Sequence, residues 1–188
     1  MNDNSTIFDS KFLNNPNEIL PKRVIIDQGE SELHSSLISI VKDIIPIWSE
    51  ADDSEILVNC LTGGITNVLY VLKWKDLSVV VRLFGNGTEA FIERSTENIV
   101  FTELSRRKLA PTFYGLFLGG RVEGYLDARP LEPSEMGLDS IYPKLALMVA
   151  QLHNVNMQGI NSKSCIWNKI NKFFELASCY HNKFINLL

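Results

Sequence analysis

The chain has 188 residues, of which 45% are hydrophobic and 21% are charged, a composition that predicts a folded protein rather than a disordered one. A net charge of −4 argues against a dedicated nucleic-acid-binding protein, and the one compact basic cluster, Arg106-Arg107-Lys108, is interpreted as a solvated helix end. Three separated cysteines, no zinc-type spacing, a polar start and no long apolar run predict a cytoplasmic protein without membrane insertion.

The first half of the chain predicts an arm, a helix and three strands. Residues 1–30 are rich in Asn, Asp and Ser and are expected to form a flexible arm. Apolar residues recur at helical spacing from residue 31 to residue 45. Three β-prone runs follow at 56–61, 68–74 and 77–84, the first two joined by a Gly-Gly loop. The short connections predict an antiparallel meander.

The second half predicts a helix, two more strands and then further helices. The first helix is expected at about 89–108, and two short strands surround Gly119-Gly120. Residues 127–140, with prolines and acids, are interpreted as a linker, and the apolar pattern of 141–188 is helical. The prediction is therefore an α+β fold with a five-stranded antiparallel sheet in a lobe at 31–126, a hinge at 127–140 and the start of a helical lobe at 141–188.

Two charged residues suggest a role for the Gly-Gly loop. Arg82 is a lone cation within the apolar third strand, and Glu97 lies on the helix after it. In protein-kinase-like folds, a strand cation paired with a helix carboxylate holds nucleotide phosphates, beneath a glycine loop between the first two strands. The same residues also fit a plain hairpin turn, an arginine facing solvent and a surface acid. The residue pattern leaves both interpretations open.

Four segments in order resemble the choline/ethanolamine kinase family. They are "LTGGITNVLY", "VVVRLFGNGTEAFIER", "LAPTFYGLFLGGRVEGYL" and "MVAQLHNVNM", within a resemblance that runs from about Ile56 to about Ala177. "GGITN" and "GNGTE" look more like the ethanolamine branch, and "GGRVEGYLDARPL" looks more like the choline branch. The resemblance implies a protein-kinase-like small lobe, a hinge and the first helices of a large lobe. It also implies the reaction of the family, which is transfer of the γ-phosphoryl group of MgATP to ethanolamine or choline.

The resemblance also assigns ATP-binding residues. Arg82 would contact the phosphates and Glu97 would orient Arg82. The residues of the phosphate loop would be Gly63, Gly64, Ile65, Thr66, Asn67, Val68 and Leu69. The residues that follow the adenine would be Gly124, Tyr125, Leu126, Asp127, Ala128, Arg129 and Pro130. The family often forms dimers, so a homodimer is a further expectation.

The chain departs from the family where catalysis would occur. Phosphoryl transfer needs an aspartate to accept the proton of the alcohol and acidic residues to hold Mg²⁺. The sequence contains no H-x-D and no D-F-G motif, and Asp127 and Asp139 are its only aspartates after Leu126. No catalytic residue and no metal ligand can be assigned, so the chain resembles the N-terminal portion of such a kinase and is expected to be inactive alone. The alternatives are a non-catalytic module that binds a nucleotide or a full-length kinase, and a plain α+β interaction domain.

Overall fold

The computed structural model describes residues 18–24, 29–61, 67–85, 87–88, 92–157, 160 and 163–185, with side chains described as far as residue 178. Contacts divide the chain into two compact units, Met1–Asn156 and Met157–Leu188. The first unit contains the sheet and three α-helices, and the second contains the last helix. The lobe and hinge boundaries of the sequence analysis remain a prediction, since the division into units does not address them.

One sheet forms the centre of the first unit. Its described strands lie in the order β1-β5-β6-β4-β3-β2, and β1 pairs with β5 in parallel while the other pairs are antiparallel. The predicted meander is confirmed as β2, β3 and β4. The strands are β1 Ile19–Arg23, β2 Leu57–Leu61, β3 Asn67–Trp74, β4 Leu77–Phe84, β5 Phe113–Leu118 and β6 Gly120–Gly124.

The prediction of five antiparallel strands and of an arm through residue 30 is corrected by β1, which adds a sixth strand. The segment "ILPKR" lacks alternation and contains a proline, which is tolerated at the edge of a sheet. Ile19 and Leu20 pair with residues of β5, which lies much later in the chain. Lys22 donates a hydrogen bond to Ser39 and forms an ion pair with Asp43, both on the following helix. Tertiary partners, and not local pattern, therefore define this strand.

In the described part of the chain, the first two α-helices contact the sheet, and the last two follow the last strand in sequence. They are α1 Glu30–Ile44, α2 Arg94–Arg106, α3 Tyr142–His153 and α4 Ile166–Ile185, and two 3₁₀ helices lie at Pro46–Glu50 and Asp53–Glu55. Helix α1 buries its apolar stripe in the core, where Leu37 and Val41 have no exposed surface. Within α4, Trp167 and Phe174 are exposed. None of the helices in the described part of the chain has the length and apolar content needed to cross a membrane.

The strand pattern separates two faces of the sheet. Residues two apart on one strand point to the same side. Val79 and Val81 on β4 and Val122 on β6 are fully buried in the core that contains α1. Val80 and Arg82, which alternate with these valines along β4, therefore point to the opposite face. That second face carries the candidate site.

Candidate functional site

The second face of the sheet is organised in two rows of directly opposed residues. In one row, Arg82 on β4 lies opposite Leu69 on β3 and opposite Arg121 on β6. In the next row, Val80 lies opposite Val71 and Glu123. Because opposed residues of antiparallel strands point to the same side, the face combines an apolar pair of valines with a cluster of charges.

Glu123 lies between two guanidinium groups. Arg82 donates from Nη2 to Glu123 Oε1 over 2.8 Å and from Nε to Oε2 over 3.4 Å. Arg121 donates from Nε to Glu123 Oε2 over 2.6 Å. The side chains of Arg121 and Glu123 are only 5% and 6% exposed, whereas Arg82 is 24% exposed. Arg82 is therefore the member of this cluster that a ligand can reach.

The cluster continues from β6 to α2. Arg121 Nη1 donates to Glu97 Oε1 over 3.2 Å, and Arg94 Nη1 donates to Glu97 Oε2 over 2.6 Å. Arg94 also donates to Thr88. The guanidinium of Arg121 stacks on the ring of Phe101, with Cζ 4.0 Å from the ring centroid. Glu97 is thus held by two arginines, neither of which is Arg82.

The predicted direct pairing of Arg82 with Glu97 is corrected by this arrangement. The carboxylate partner of Arg82 is Glu123. Glu97 contacts Arg121, and Arg121 in turn contacts Glu123. The physical reason is the pairing of β4 with β6, which places the Glu123 carboxylate within hydrogen-bond reach of Arg82. Helix α2 approaches β6 instead, through Glu97 and Arg121.

The charge cluster carries an excess of positive charge. Its three guanidinium groups, on Arg82, Arg94 and Arg121, face two carboxylates, on Glu97 and Glu123. Glu123 occupies Nε and Nη2 of Arg82, and among the described residues Nη1 of Arg82 has no partner. A partly exposed guanidinium with one free edge and a rigid support is suited to bind an anion such as a phosphate group.

The predicted phosphate loop is only partly within the described residues. Gly63, Gly64, Ile65 and Thr66 lie outside them. The other three predicted residues, Asn67, Val68 and Leu69, form the start of β3. Leu61 at the end of β2 pairs with Leu69, which lies opposite Arg82. The end of β2, from which the loop leaves, therefore lies in the same row as Arg82.

The predicted adenine-binding segment, 124–130, begins directly after Glu123. Gly124 is the last residue of β6 and donates its N–H to the carbonyl oxygen of Thr112 over 2.7 Å. The ring of Tyr125 lies 5.4 Å from Lys73 Nζ. The exposed residues Leu126, Asp127 and Ala128 follow in irregular backbone. The segment therefore starts directly after the charge cluster and continues as exposed, irregular backbone.

An ion pair fixes the end of this segment. Arg129 donates from Nη1 and Nη2 to the two carboxylate oxygens of Glu135, each over 2.7 Å, and also to the carbonyl oxygen of Pro130. The N–H of Glu132 donates to the same carboxylate. Arg129 first, and then this N–H, lower the pKa of Glu135 to about 2. The bidentate pair restrains a stretch that has no regular secondary structure.

A cavity of about 410 Å³ adjoins the segment. Lys73, Ser78, Thr112, Tyr114 and Asp127 are among its lining residues. Burial raises the pKa of the Tyr114 hydroxyl to about 12. A cavity of this size with neutral and charged groups at its wall can hold a small organic molecule beside the predicted hinge.

Sequence reasoning missed three members of the cluster, Arg94, Arg121 and Glu123. The alternation in "GRVEG" was a usable signal, since Arg121 and Glu123 are two apart on one strand and share a face. Arg94 and Glu97 are three apart on α2, a spacing at which helix side chains meet. Within the described ranges, no group of three or more His, Cys, Asp or Glu residues is placed to hold a metal ion.

Comparisons with known proteins agree with the resemblance in the sequence. The family model for choline/ethanolamine kinase matches residues 58–186. The chain is 31% identical over 155 residues to "Probable ethanolamine kinase A" of Dictyostelium discoideum, covering 79% of this chain and 44% of that protein. It is 35% identical over 147 residues to "Probable ethanolamine kinase" of Arabidopsis thaliana, covering 76% of this chain and 39% of the relative.

Solved structures show the same fold. A choline kinase from Cryptosporidium parvum superposes with a TM-score of 0.64 at 26% identity, over 79% of this chain and 44% of that one. An ethanolamine kinase from Plasmodium vivax superposes with a TM-score of 0.65 at 23% identity, over 81% and 45%. The chain spans less than half the length of these relatives. The likeness confirms the predicted fold class, an α+β small lobe of protein-kinase type followed by helices.

Proposed function

Because the chain belongs to the choline/ethanolamine kinase family, we propose that it provides the nucleotide-binding part of an enzyme that phosphorylates the hydroxyl group of ethanolamine or choline with ATP. Ethanolamine is the preferred alcohol of the two, since "GGITN" and "GNGTE" resemble the ethanolamine branch and two relatives carry that name. The reaction would be the first step of phosphatidylethanolamine or phosphatidylcholine synthesis and would take place in the cytoplasm.

The observation that carries the proposal is the position of Arg82. It lies partly exposed in the row of residues that contains the end of β2, where the connecting loop begins, and Glu123 fixes its guanidinium. The charge cluster, counted with Arg82, has one more positive charge than negative charges. Phosphoryl transfer depends mainly on positioning and on neutralising the charge of the phosphate oxygens. Arg82 supports both tasks.

The remaining contacts to the nucleotide would be made on the same, second face of the sheet. Gly63 to Leu69 would cover the phosphates with backbone N–H groups, to which Thr66 and Asn67 would add side-chain donors. The buried valines Val71 and Val80 offer an apolar surface for the base, and Gly124 to Pro130 would follow its edge with backbone groups. Glu97 would act on Arg82 only through Arg121 and Glu123.

The described residues do not fit the Mg²⁺ ion that accompanies ATP in kinases. They bring together no set of acidic side chains for a metal, and the sequence has no aspartate after Asp139. We therefore infer that the 188-residue chain binds nucleotide but does not transfer a phosphoryl group by itself. The same observation favours the second candidate, a non-catalytic nucleotide-binding module or a partner of a full-length kinase, without catalytic residues of its own. A homodimer is part of this proposal.

Calorimetric titration of the 188-residue chain with ATP tests the binding proposal. Arg82→Ala should weaken binding by about tenfold or more, because a charge-assisted hydrogen bond contributes roughly 1.5–3 kcal/mol. Arg106→Ala is the matched control, since it removes the same charge from an exposed position at the end of α2. Circular dichroism verifies that each variant is folded. Equal affinities of the unaltered chain and Arg82→Ala would contradict the assignment of Arg82.

A second assay tests whether the 188-residue chain transfers a phosphoryl group by itself. The 188-residue chain is incubated with ATP, Mg²⁺ and ethanolamine or choline, and phosphorylated product is measured by mass spectrometry. We expect no product above the control without protein, while nucleotide still binds. Product formation would show that the chain is a complete catalyst and would rule out the non-catalytic module.

A further inference from the structure

Arg121 is a buried cation that lies directly beside the partly exposed Arg82 in the sheet. Its Nε donates to Glu123, its Nη1 donates to Glu97, and its guanidinium stacks on the ring of Phe101. The side chain is only 5% exposed, so its charge is not available for direct contact with a ligand on the second face of the sheet. An effect of Arg121 on a ligand must therefore pass through a neighbouring residue.

The carboxylate of Glu123 is shared unequally between the two arginines. Its Oε2 accepts from Arg121 Nε over 2.6 Å but from Arg82 Nε over 3.4 Å, and its Oε1 accepts from Arg82 Nη2 over 2.8 Å. An arginine and a carboxylate that pair alone commonly form two parallel hydrogen bonds of about 2.7–2.9 Å. Arg129 and Glu135 form such a pair, with both bonds at 2.7 Å. Arg82 therefore has one full and one weak hydrogen bond to Glu123.

The unequal sharing affects the charge that Arg82 presents to a ligand. Because Arg121 occupies Oε2, Glu123 neutralises Arg82 only in part, and Arg82 is the more exposed of the two cations. We propose that Arg121 is a positioning residue for phosphate binding, which holds Oε2 of Glu123 and so prevents this carboxylate from closing a symmetric pair with Arg82. The inference rests on the proposed function, in which Arg82 contacts the phosphates of the nucleotide.

The substitution Arg121→Met removes the competition for Oε2 without leaving a carboxylate unpaired. Glu123 keeps its ion pair with Arg82. The other carboxylate, on Glu97, keeps its ion pair with Arg94. Methionine has an unbranched side chain and makes favourable contacts with aromatic rings, so it can replace the guanidinium on the ring beneath it. We therefore expect this variant to fold, which circular dichroism verifies.

The first measurement contains no nucleotide and follows the arginine Nε protons by ¹H–¹⁵N NMR. In the unaltered chain, the Nε proton of Arg121 should exchange with solvent at least about tenfold more slowly than that of Arg82, because its hydrogen bond is shorter and more buried. In Arg121→Met, exchange of the Arg82 proton should become slower by about threefold or more, since its bond to Glu123 becomes a full one. A merely structural role of Arg121 predicts the opposite, because a loosened cluster exchanges faster.

Calorimetric titration with ATP measures the effect on binding. Arg121→Met should weaken ATP binding about fivefold although Arg82 is intact. In the Arg82→Ala background, the same substitution should change the affinity by less than about twofold, because Arg121 acts through Arg82. Arg106→Met is the matched control, since it removes the same charge from an exposed position at the end of α2. It should change neither ATP binding nor the exchange of the Arg82 proton.

The two proposals fail in different ways. If Arg82→Ala leaves ATP binding unchanged, the proposed function is contradicted, and with it the role of Arg121 in phosphate binding. If Arg82→Ala weakens binding while Arg121→Met does not, only the role of Arg121 is overturned.

Two further results would overturn the role of Arg121. One is an equal loss of affinity from Arg121→Met in the unaltered and Arg82→Ala backgrounds, which would show that Arg121 acts on the fold in general. The other is equal exchange of the two Nε protons in the unaltered chain, which would mean that Glu123 is shared equally. The exchange measurement on the unaltered chain decides the question even where Arg121→Met does not fold.

Discussion

Glu123 on β6 holds Arg82 on β4 although the two residues are not opposed in the sheet. The residue opposite Arg82 is Arg121, a second cation, and Glu123 lies one row away, opposite Val80. Two like charges in opposed positions repel each other. The carboxylate of Glu123 reaches diagonally and accepts hydrogen bonds from both arginines. The sheet can therefore tolerate two guanidinium groups side by side, and one of them remains available to an anion.

Replacing the bridging carboxylate should destabilise the fold. Glu123→Gln keeps the size of the side chain but leaves Arg82 and the buried Arg121 without their shared counter-charge. We expect a loss of about 3–5 kcal/mol in the free energy of unfolding, as is typical when one partner of a buried ion pair is removed. Urea unfolding followed by circular dichroism measures it. Glu132→Gln, at an exposed position, is the control, and a loss below about 1 kcal/mol for Glu123→Gln would mean that the bridge is not required.

The two carboxylates of the cluster should differ in their effect on nucleotide binding. Glu123 contacts Arg82 directly, whereas Glu97 reaches it only through Arg121 and Glu123. Under conditions where both variants are folded, Glu123→Gln should weaken ATP binding about tenfold and Glu97→Gln less than about threefold. Calorimetry gives both values. A larger effect of Glu97→Gln would indicate that nucleotide binding creates the direct pair expected from the sequence.

Gly120 permits the close approach of β6 to β4 beside the cluster. A Cβ atom at this position would lie 2.2 Å from Cζ of Phe117 and 2.4 Å from the carbonyl oxygen of Arg82. The backbone oxygen cannot move without displacing β4. Gly120→Ala should therefore lower the free energy of unfolding by roughly 2 kcal/mol or more. Gly137→Ala is the matched control, because a Cβ there would meet no atom within 4 Å. Equal unfolding midpoints for the two variants would contradict the prediction.

The Arg129–Glu135 pair should be visible in the titration of one carboxyl group. The pKa of Glu135 is lowered from 4.5 to about 2 by Arg129 and by the N–H of Glu132. Because the folded-state pKa is depressed, the stabilisation is present above pH 4.5 and is lost as the pH falls toward about 2.

Carboxyl ¹³C NMR measures this pKa directly. Arg129→Ala should raise the pKa of Glu135, although the hydrogen bond from Glu132 still keeps it below its ordinary value. Arg106→Ala should leave it unchanged, since Arg106 is not among the groups that shift the pKa of Glu135. If Glu135 titrated near 4.5 in the unaltered chain, the bidentate pair would not exist in solution.

The elements that were predicted best from the sequence are those that form through interactions between residues close together in the chain. Alternating apolar residues and short turns are sufficient to predict β2, β3 and β4, and helical spacing is sufficient for α1. The strand β1 could not be predicted, because its hydrogen bonds come from β5, far along the chain, and its ion pair comes from α1. The residues of the candidate site divide in the same way, since Arg82 was identified from its lone charge in an apolar strand while its partner was not.

Residue identities and short-range order are sufficient to predict the family, the meander of strands and the role of Arg82. The pairing of Arg82 with Glu123, and not with Glu97, depends on how the strands and α2 come together in the folded chain. Both residues are carboxylates at plausible positions in the sequence, so residue type cannot rank them. An ion pair depends on distances of a few ångströms. In this protein those distances are set by the pairing of β4 with β6 and by the approach of α2 to Arg121.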